Sequence, residues 1–165
     1  MKSNDIGAMR ERQVASIATM LMLPPAIRVR PWADDDFSAI QNLSQAEGWT
    51  TPIERPAEAL AAWQRSWPAL VACADDIVIA FCRALSDGMV TTYIAEVLVA
   101  PPWQRNGIAA ALLEASQRLC PGSRLDLLTT DASRGFYDHL GYRSMVGFRQ
   151  SWRRESGPRE CDDEH

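Results

Sequence analysis

The spacing of apolar positions changes period several times along the chain, and each change marks an element. Ala26-Ile27-Arg28-Val29-Arg30 alternates apolar and polar residues, which predicts a first strand. Ala33-Asp34-Asp35-Asp36 then offers acids suited to a first helical turn, and Phe37, Ile40 and Leu43 recur on one face of a helix through about Ala46. Gly48 ends it. After Trp49-Thr50-Thr51-Pro52 a second helix has Pro56 near its first turn, with Leu60, Trp63 and Trp67 at helical spacing until Pro68.

From Ala69 onward the pattern turns to strands. Leu70 to Cys73 and Ile77 to Leu85 predict strands joined by a hairpin turn at Asp75-Asp76, and Asp87-Gly88 is a stronger hairpin signal before a strand from Met89 to Ala100. Arg105 to Leu119 returns to helical spacing, with Ile108, Leu112, Ala115 and Leu119 on one side, and Pro121-Gly122 breaks it. Leu125 to Leu128 is a short apolar strand. Asp131 or Ser133 caps a further helix that ends at His139-Leu140 with Gly141 as its C-cap, and Tyr142 to Trp152 predicts one or two closing strands. The order β-α-α-β-β-β-α-β-α-β(-β) is that of an α/β domain around a mixed sheet, expected over residues 26–152. A loosely packed helical extension over 1–25 precedes it, and a polar tail over 153–165 follows.

Composition narrows the function classes. With 165 residues, 47% of them hydrophobic, the chain can bury the core of one compact domain. The net charge of −4, with no Lys/Arg-rich run carrying interleaved aromatics, argues against nucleic acid and suits a cationic small substrate or a basic protein end. Cys73, Cys82, Cys120 and Cys161 show no CxxC and no metal-like spacing with histidine, so a reduced, cytoplasmic protein without a metal is expected. His139 and His165 are the only histidines, which leaves a zinc site or a histidine-based triad almost without raw material.

The apolar run Val14 to Leu23 behind Lys2, Arg10 and Arg12 superficially resembles a secretory leader. It is short, Asp5 and Glu11 interrupt its basic part, and no Ala-x-Ala signal precedes Pro24-Pro25. It also falls far below membrane-spanning length. A helical extension is therefore expected, with Met20 or Met22 open as alternative starts.

The chemistry concentrates in Val99-Ala100-Pro101-Pro102-Trp103-Gln104-Arg105-Asn106-Gly107-Ile108-Ala109. A strand stops at two prolines, and Gln104, Gly107 and Ala109 fall where an Ala/Leu-rich helix begins. Such a turn presents backbone N–H groups without carbonyl partners at the positive end of a helix dipole, a geometry that holds phosphate. The P-loop form requires Lys-Ser/Thr after its glycines, and the dinucleotide form wants Gly-x-Gly-x-x-Gly; Asn106-Gly107-Ile108-Ala109 fits neither.

The pattern Gln/Arg-x-x-Gly-x-Gly/Ala after a strand ending Val-x-Pro resembles the pyrophosphate loop of the GNAT superfamily of acetyl-CoA-dependent N-acyltransferases. Gly135-Phe136-Tyr137-Asp138-His139-Leu140-Gly141-Tyr142 resembles that family's aromatic-Tyr-x-x-x-Gly-Phe/Tyr block. Ala46-Glu47-Gly48-Trp49, Ser66, Arg83 and Asp87-Gly88 are similar to residues in a branch of small bacterial members. The resemblance spans Ile27 to about Trp152 and implies the GNAT fold, a mixed, mostly antiparallel sheet splayed at the cofactor site and flanked by helices.

It also implies a division of labour. Val97, Leu98 and Val99 would pair with the pantetheine arm of acetyl-CoA where their strand parts from Leu125–Leu128, and their N–H groups would polarise the acetyl carbonyl. Gln104, Arg105, Asn106, Gly107, Ile108 and Ala109 would wrap the pyrophosphate through main-chain N–H groups. Thr130 stands where a family Asn often contacts the cofactor, and Ser133 and Arg134 would add polar or cationic contacts. An amine would attack the thioester directly, with Tyr137 protonating the departing thiolate and Glu96, the one acid in an otherwise apolar strand, as base; Glu47 is a second candidate base. Trp49, Glu47 and Arg83 are the candidate substrate contacts.

Plainer readings stand beside these. Tyr137 and Phe136 suit core packing, Glu96 a structural acid, Arg83 an ion-paired strand residue, and Trp49 local packing. The acceptor would be a primary amine of a small molecule or of a protein, and the resemblance also admits a homodimer. Two other functions remain open: transfer from a different acyl-CoA, and a GNAT-fold sensor that binds acyl-CoA without turnover.

Overall fold

The computed structural model describes residues 3–150. It divides into two compact units, one through Thr129 and one from Thr130 on.

The first unit is built on a five-stranded sheet. Its strands β1 (Ile27–Pro31), β2 (Ala69–Ala74), β3 (Ile77–Ser86), β4 (Thr91–Val99) and β5 (Arg124–Leu127) lie side by side in chain order. The first four are antiparallel in succession, and β5 runs parallel to β4. Asp75 and Asp76, at φ 47° and 66°, close the β2–β3 hairpin with the double left-handed backbone a two-residue turn requires. The next turn is longer than expected. Met89 and Val90 lie in it rather than in β4, and their amides and that of Thr91 all donate to Asp87 Oδ1.

Helices cover both faces. Because β-strand side chains alternate, Phe81 and Cys82 of β3 point to opposite sides. On the Phe81 side lie α2 (Phe37–Ala46), α3 (Thr51–Glu54) and α4 (Pro56–Gln64), and Phe37, Ile40, Ala59 and Trp63 join Phe81 and Leu98 in one buried cluster. On the Cys82 side lies α5 (Ile108–Leu119), which buries Ile108, Leu112 and Ala115 and brings Ser116 Oγ to 3.6 Å from Cys82 Sγ. Burial in that setting pushes the Cys82 thiol up to about 12, so it behaves as a small apolar side chain.

Two expectations in this unit are corrected. Trp67 does not continue the stripe of Leu60 and Trp63, because α4 ends at Gln64 and Trp67 makes an isolated bridge to Leu85. The residue before a proline is pushed out of helical geometry, and Pro68 follows Trp67. The N-terminal extension is helical as expected, but it is docked rather than loose. Helix α1 (Ser3–Ala18) packs on β1 and α5, burying Val14 and Ile17. Its Arg10 guanidinium lies 4.4 Å from the centre of the Trp67 ring, and burial lowers the Arg10 pKa. Arg10, Val14 and Ile17 are spaced i, i+4, i+7, a single helical stripe with an arginine at its edge.

The second unit contains α6 (Asp131–His139), with Thr130 rather than Asp131 or Ser133 at its N-cap and Gly141 at φ 79° just past its end. None of the residues in α6 is buried. The closing strands expected from Tyr142 onward do not form over 142–150: Met145, Val146 and Phe148 are exposed there. Apolar residues make a strand only when a neighbouring strand takes up their backbone groups, and no such ladder is present among the described residues. The remainder of that segment, the polar tail over 153–165, Cys161 and His165 lie outside the described residues.

Candidate active site

The centre of the first unit is a break in β4. Opposite β3, Glu96 pairs with Arg83 and Ile94 with Ala84, so Ala95 is an extra residue without a partner, a β-bulge. Its consequence is a change of face. Thr92 and Ile94 are both buried, Ile94 opposite Ala84 on the α5 side, and strict alternation would aim Glu96 the same way. The bulge moves Glu96 and Leu98 to the side of Phe81 and α2–α4. The pairing with β5 ends at the same place: Ile94 matches Leu127, and Ala95 to Val99 have no β5 partner. Beyond Ile94, where β5 ends at Leu127, β4 runs on alone on that side, leaving one edge of Val97, Leu98 and Val99 without a ladder among the described residues.

The chain leaves β4 through a 3-10 turn at Pro101–Trp103 and enters α5 at Gly107, its N-cap. The Gln104 amide is engaged, donating to Pro101 O at 3.3 Å, and its side chain donates to Val99 O at 3.0 Å, tying the loop to the end of the strand. Asn106 Nδ2 donates back to Trp103 O and Gln104 O. From Arg105 to Ala110 no amide donates to another backbone group among the described residues. Gln104 through Gly107 are exposed. Arg105 at φ 63° and Gly107 at φ 77° hold left-handed backbone within three residues; for Arg105 that conformation is uncommon, and such turns form anion-binding nests. A Cβ on Gly107 would meet nothing closer than Met22 O at 3.8 Å, so glycine is required there by its backbone angle.

These features fit a diphosphate. Partnerless amides at a helix N-terminus, with no side chain on Gly107 to fend off an oxygen, offer donors to an anion without moving. Among the described residues no group of three or more His, Cys, Asp or Glu is placed to hold a metal ion.

Arg83 and Glu96 stand opposite one another across β3 and β4 and form a two-point ion pair. Arg83 Nε donates to one carboxylate oxygen at 3.0 Å and Nη2 to the other at 2.9 Å. Nη1 donates to Ser66 Oγ at 3.2 Å, and the buried Ser66 hydroxyl donates to Ala62 O in α4 at 2.7 Å. The guanidinium assigned to substrate contact is thus engaged by protein groups. Trp49, half-exposed after α2, sets its ring edgewise to Phe81 at 6.3 Å, so it belongs to the face that carries Glu96. Glu47 is the exposed C-cap of α2.

In the second unit Thr130 N-caps α6, and the Ser133 amide donates to Thr130 O. The Tyr137 ring lies between Phe136 at 5.0 Å and Tyr142 at 5.6 Å, both edgewise. Phe136 is half-exposed rather than core, and Arg134 sits 3.9 Å from Asp138 one helical turn away.

The structure therefore brings Ser66, Arg83, Glu96, Trp49, Val97–Val99 and the Gln104–Ala109 loop into one unit. Sequence reasoning missed the Ala95 bulge and the joining of Ser66 to Arg83 and Glu96. The signal for the bulge was present: an acid at the same parity as the apolar Ile94 and Leu98.

Comparison with known proteins agrees with this geometry. The acetyltransferase (GNAT) domain family matches residues 65–144. A GNAT-family protein from Xanthomonas campestris pv. campestris superposes with a TM-score of 0.64 at 25% identity, covering 79% of this chain and 96% of its own. A GNAT-family acetyltransferase from Streptococcus pneumoniae gives 0.62 at 24% identity, covering 78% and 98%. An aminoglycoside acetyltransferase from an uncultured soil metagenomic sample shares the fold, with a TM-score of 0.61 at 18% identity over 78% of this chain and 99% of its own. No curated protein matches the chain. Residues 65–144 thus match the GNAT acetyltransferase domain, the fold is that of GNAT-family proteins, and the general class is that of the acetyltransferases. No described helix is long and apolar enough to cross a membrane.

Proposed function

We propose that this protein is an N-acetyltransferase that moves the acetyl group of acetyl-CoA directly to a primary amine of a small molecule or a protein. The observation that carries this reading is the run of amides from Arg105 to Ala110 without backbone partners, placed one turn beyond a strand edge that its neighbour has left. The first suits the pyrophosphate of coenzyme A. The second suits the amide groups of its pantetheine arm, which add to a free strand edge as another strand would.

The chemistry needs little beyond orientation. The amine nitrogen attacks the thioester carbonyl, a C–N bond forms, and the C–S bond breaks. Glu96 takes the proton that the amine must lose, directly or through one water, and Tyr137 gives a proton to the leaving thiolate. Main-chain N–H groups of Val97–Val99 polarise the carbonyl oxygen as charge develops on it. Trp49 and Glu47 contact the acceptor. Thr130 and Ser133 add polar contacts to coenzyme A.

Release of free thiol from acetyl-CoA tests the proposal against a panel of spermidine, lysine, an aminoglycoside and a peptide with a free N-terminus. Turnover with at least one amine is expected. Tyr137→Phe should lower kcat by roughly a hundred- to ten-thousandfold, as loss of a positioned acid does, while the Kd for acetyl-CoA stays within about twofold. Binding of acetyl-CoA without thiol release would mark a sensor, and equal turnover in Tyr137→Phe would remove that residue from the chemistry.

A further inference from the structure

The side chain that would receive the proton stands just past a bulge in its strand. Glu96 follows the unpaired Ala95, on the part of β4 that β5 no longer supports. Its pairing with Arg83 sets the face on which it stands but not the torsions of its flexible side chain. Arg83 is placed differently: it lies on β3, between two strands, paired with Ala69 of β2 on one side and Glu96 on the other.

We propose that Arg83, anchored through Ser66, is a positioning residue that fixes the plane and direction of the Glu96 carboxylate at the parting of β4 from β5. The inference rests on the reading of Glu96 as the base. A guanidinium that donates Nε to one oxygen and Nη2 to the other holds a carboxylate in its own plane, which a lysine ammonium cannot do. Its third contact, Nη1 to Ser66 Oγ, passes the anchor to Ala62 O in α4, so the arrangement spans helix, connection and two strands. Each carboxylate oxygen accepts one of these bonds and retains a second lone pair for an incoming N–H or water. The open end of the pair is the acid: the arginine side chain is 14% exposed and the glutamate 26%. A substrate arriving from solvent meets Glu96 first.

A double-mutant cycle on the full chain distinguishes positioning from simple support, using the panel amine that gives the fastest thiol release. Arg83→Gln should lower kcat roughly ten- to a hundredfold, the scale of a base displaced by about an ångström, with the KM for acetyl-CoA within about twofold. Arg83→Lys, which keeps the charge and loses the fork, should recover only part of this, and Ser66→Ala should give a smaller loss of the same kind. In the Glu96→Gln background Arg83→Gln should add less than about a twofold further loss. The same loss from Arg83→Gln in both backgrounds would overturn the inference while leaving Glu96 as base. Wild-type kcat in Glu96→Gln would instead remove the base reading, and the role of Arg83 with it. Should Arg83→Gln fail to fold, Ser66→Ala with and without Glu96→Gln carries the same comparison.

Discussion

Asp36 shows how one side chain can fix the entry to a helix. Its carboxylate accepts both terminal nitrogens of Arg30 at 2.7 Å and the Ala33 amide at 2.8 Å, and its side chain is 9% exposed. Burial opposes its ionisation, but the hydrogen bonds from Arg30 and Ala33 outweigh that and hold its pKa below the ordinary value. Such a group stabilises the fold fully above the unfolded carboxyl pKa of about 4, and the contribution fades as pH falls through the lower folded value. Asp36→Asn should cost about 1–3 kcal/mol near neutral pH, where the ionised group makes three hydrogen bonds. The wild-type Tm should therefore fall more steeply than that of Asp36→Asn between neutral and acid pH. Parallel curves would show that the pair contributes nothing to folding. From sequence, Asp34-Asp35-Asp36 reads as first-turn acids alike, because nothing local shows which of them Arg30 will reach. Gly107 is the contrary case: its place after a strand and before a helix announced the amides around it, and its left-handed backbone is what the structure adds.

Elements were legible where the period of apolar residues was long and uninterrupted. Phe37, Ile40, Leu112 and Ala115 lie on the buried faces their spacing foretold, and Asp75-Asp76 makes the expected tight hairpin. Errors arose where a neighbour in space overrode the pattern. The bulge at Ala95 changes the face of β4 without a glycine or proline to mark it. Residues 142–150 carry strand-like apolar residues yet make no ladder among the described residues. Helix α1 was misjudged because its buried stripe is narrow, two apolar residues with an arginine at its edge. Its docking gives an expectation for stability. Ile17→Ala should cost about 2–4 kcal/mol in urea unfolding, because the site is closed by β1 and α5 and collapses only in part. A loss below about 0.5 kcal/mol, the range of surface substitutions, would mean that α1 is only loosely attached.

At the scale of the whole molecule, function follows from two features made by one strand. The bulge on β4 turns Glu96 toward the α2–α4 face where the pairing with β5 ends, and the chain then runs into a loop whose amides from Arg105 on have no backbone partner among the described residues. The loop, its glycine and the resemblance to GNAT enzymes could be read from the sequence because they are contiguous there. The Ser66–Arg83–Glu96 arrangement could not, because its members are separated along the chain and meet only through the β3–β4 register. Calorimetric titration of acetyl-CoA into the wild type and into Gly107→Arg tests the account most directly. The wild type should bind, and the variant should lose binding altogether while keeping its circular dichroism and a cooperative unfolding transition. Unchanged affinity in a folded Gly107→Arg protein would contradict it.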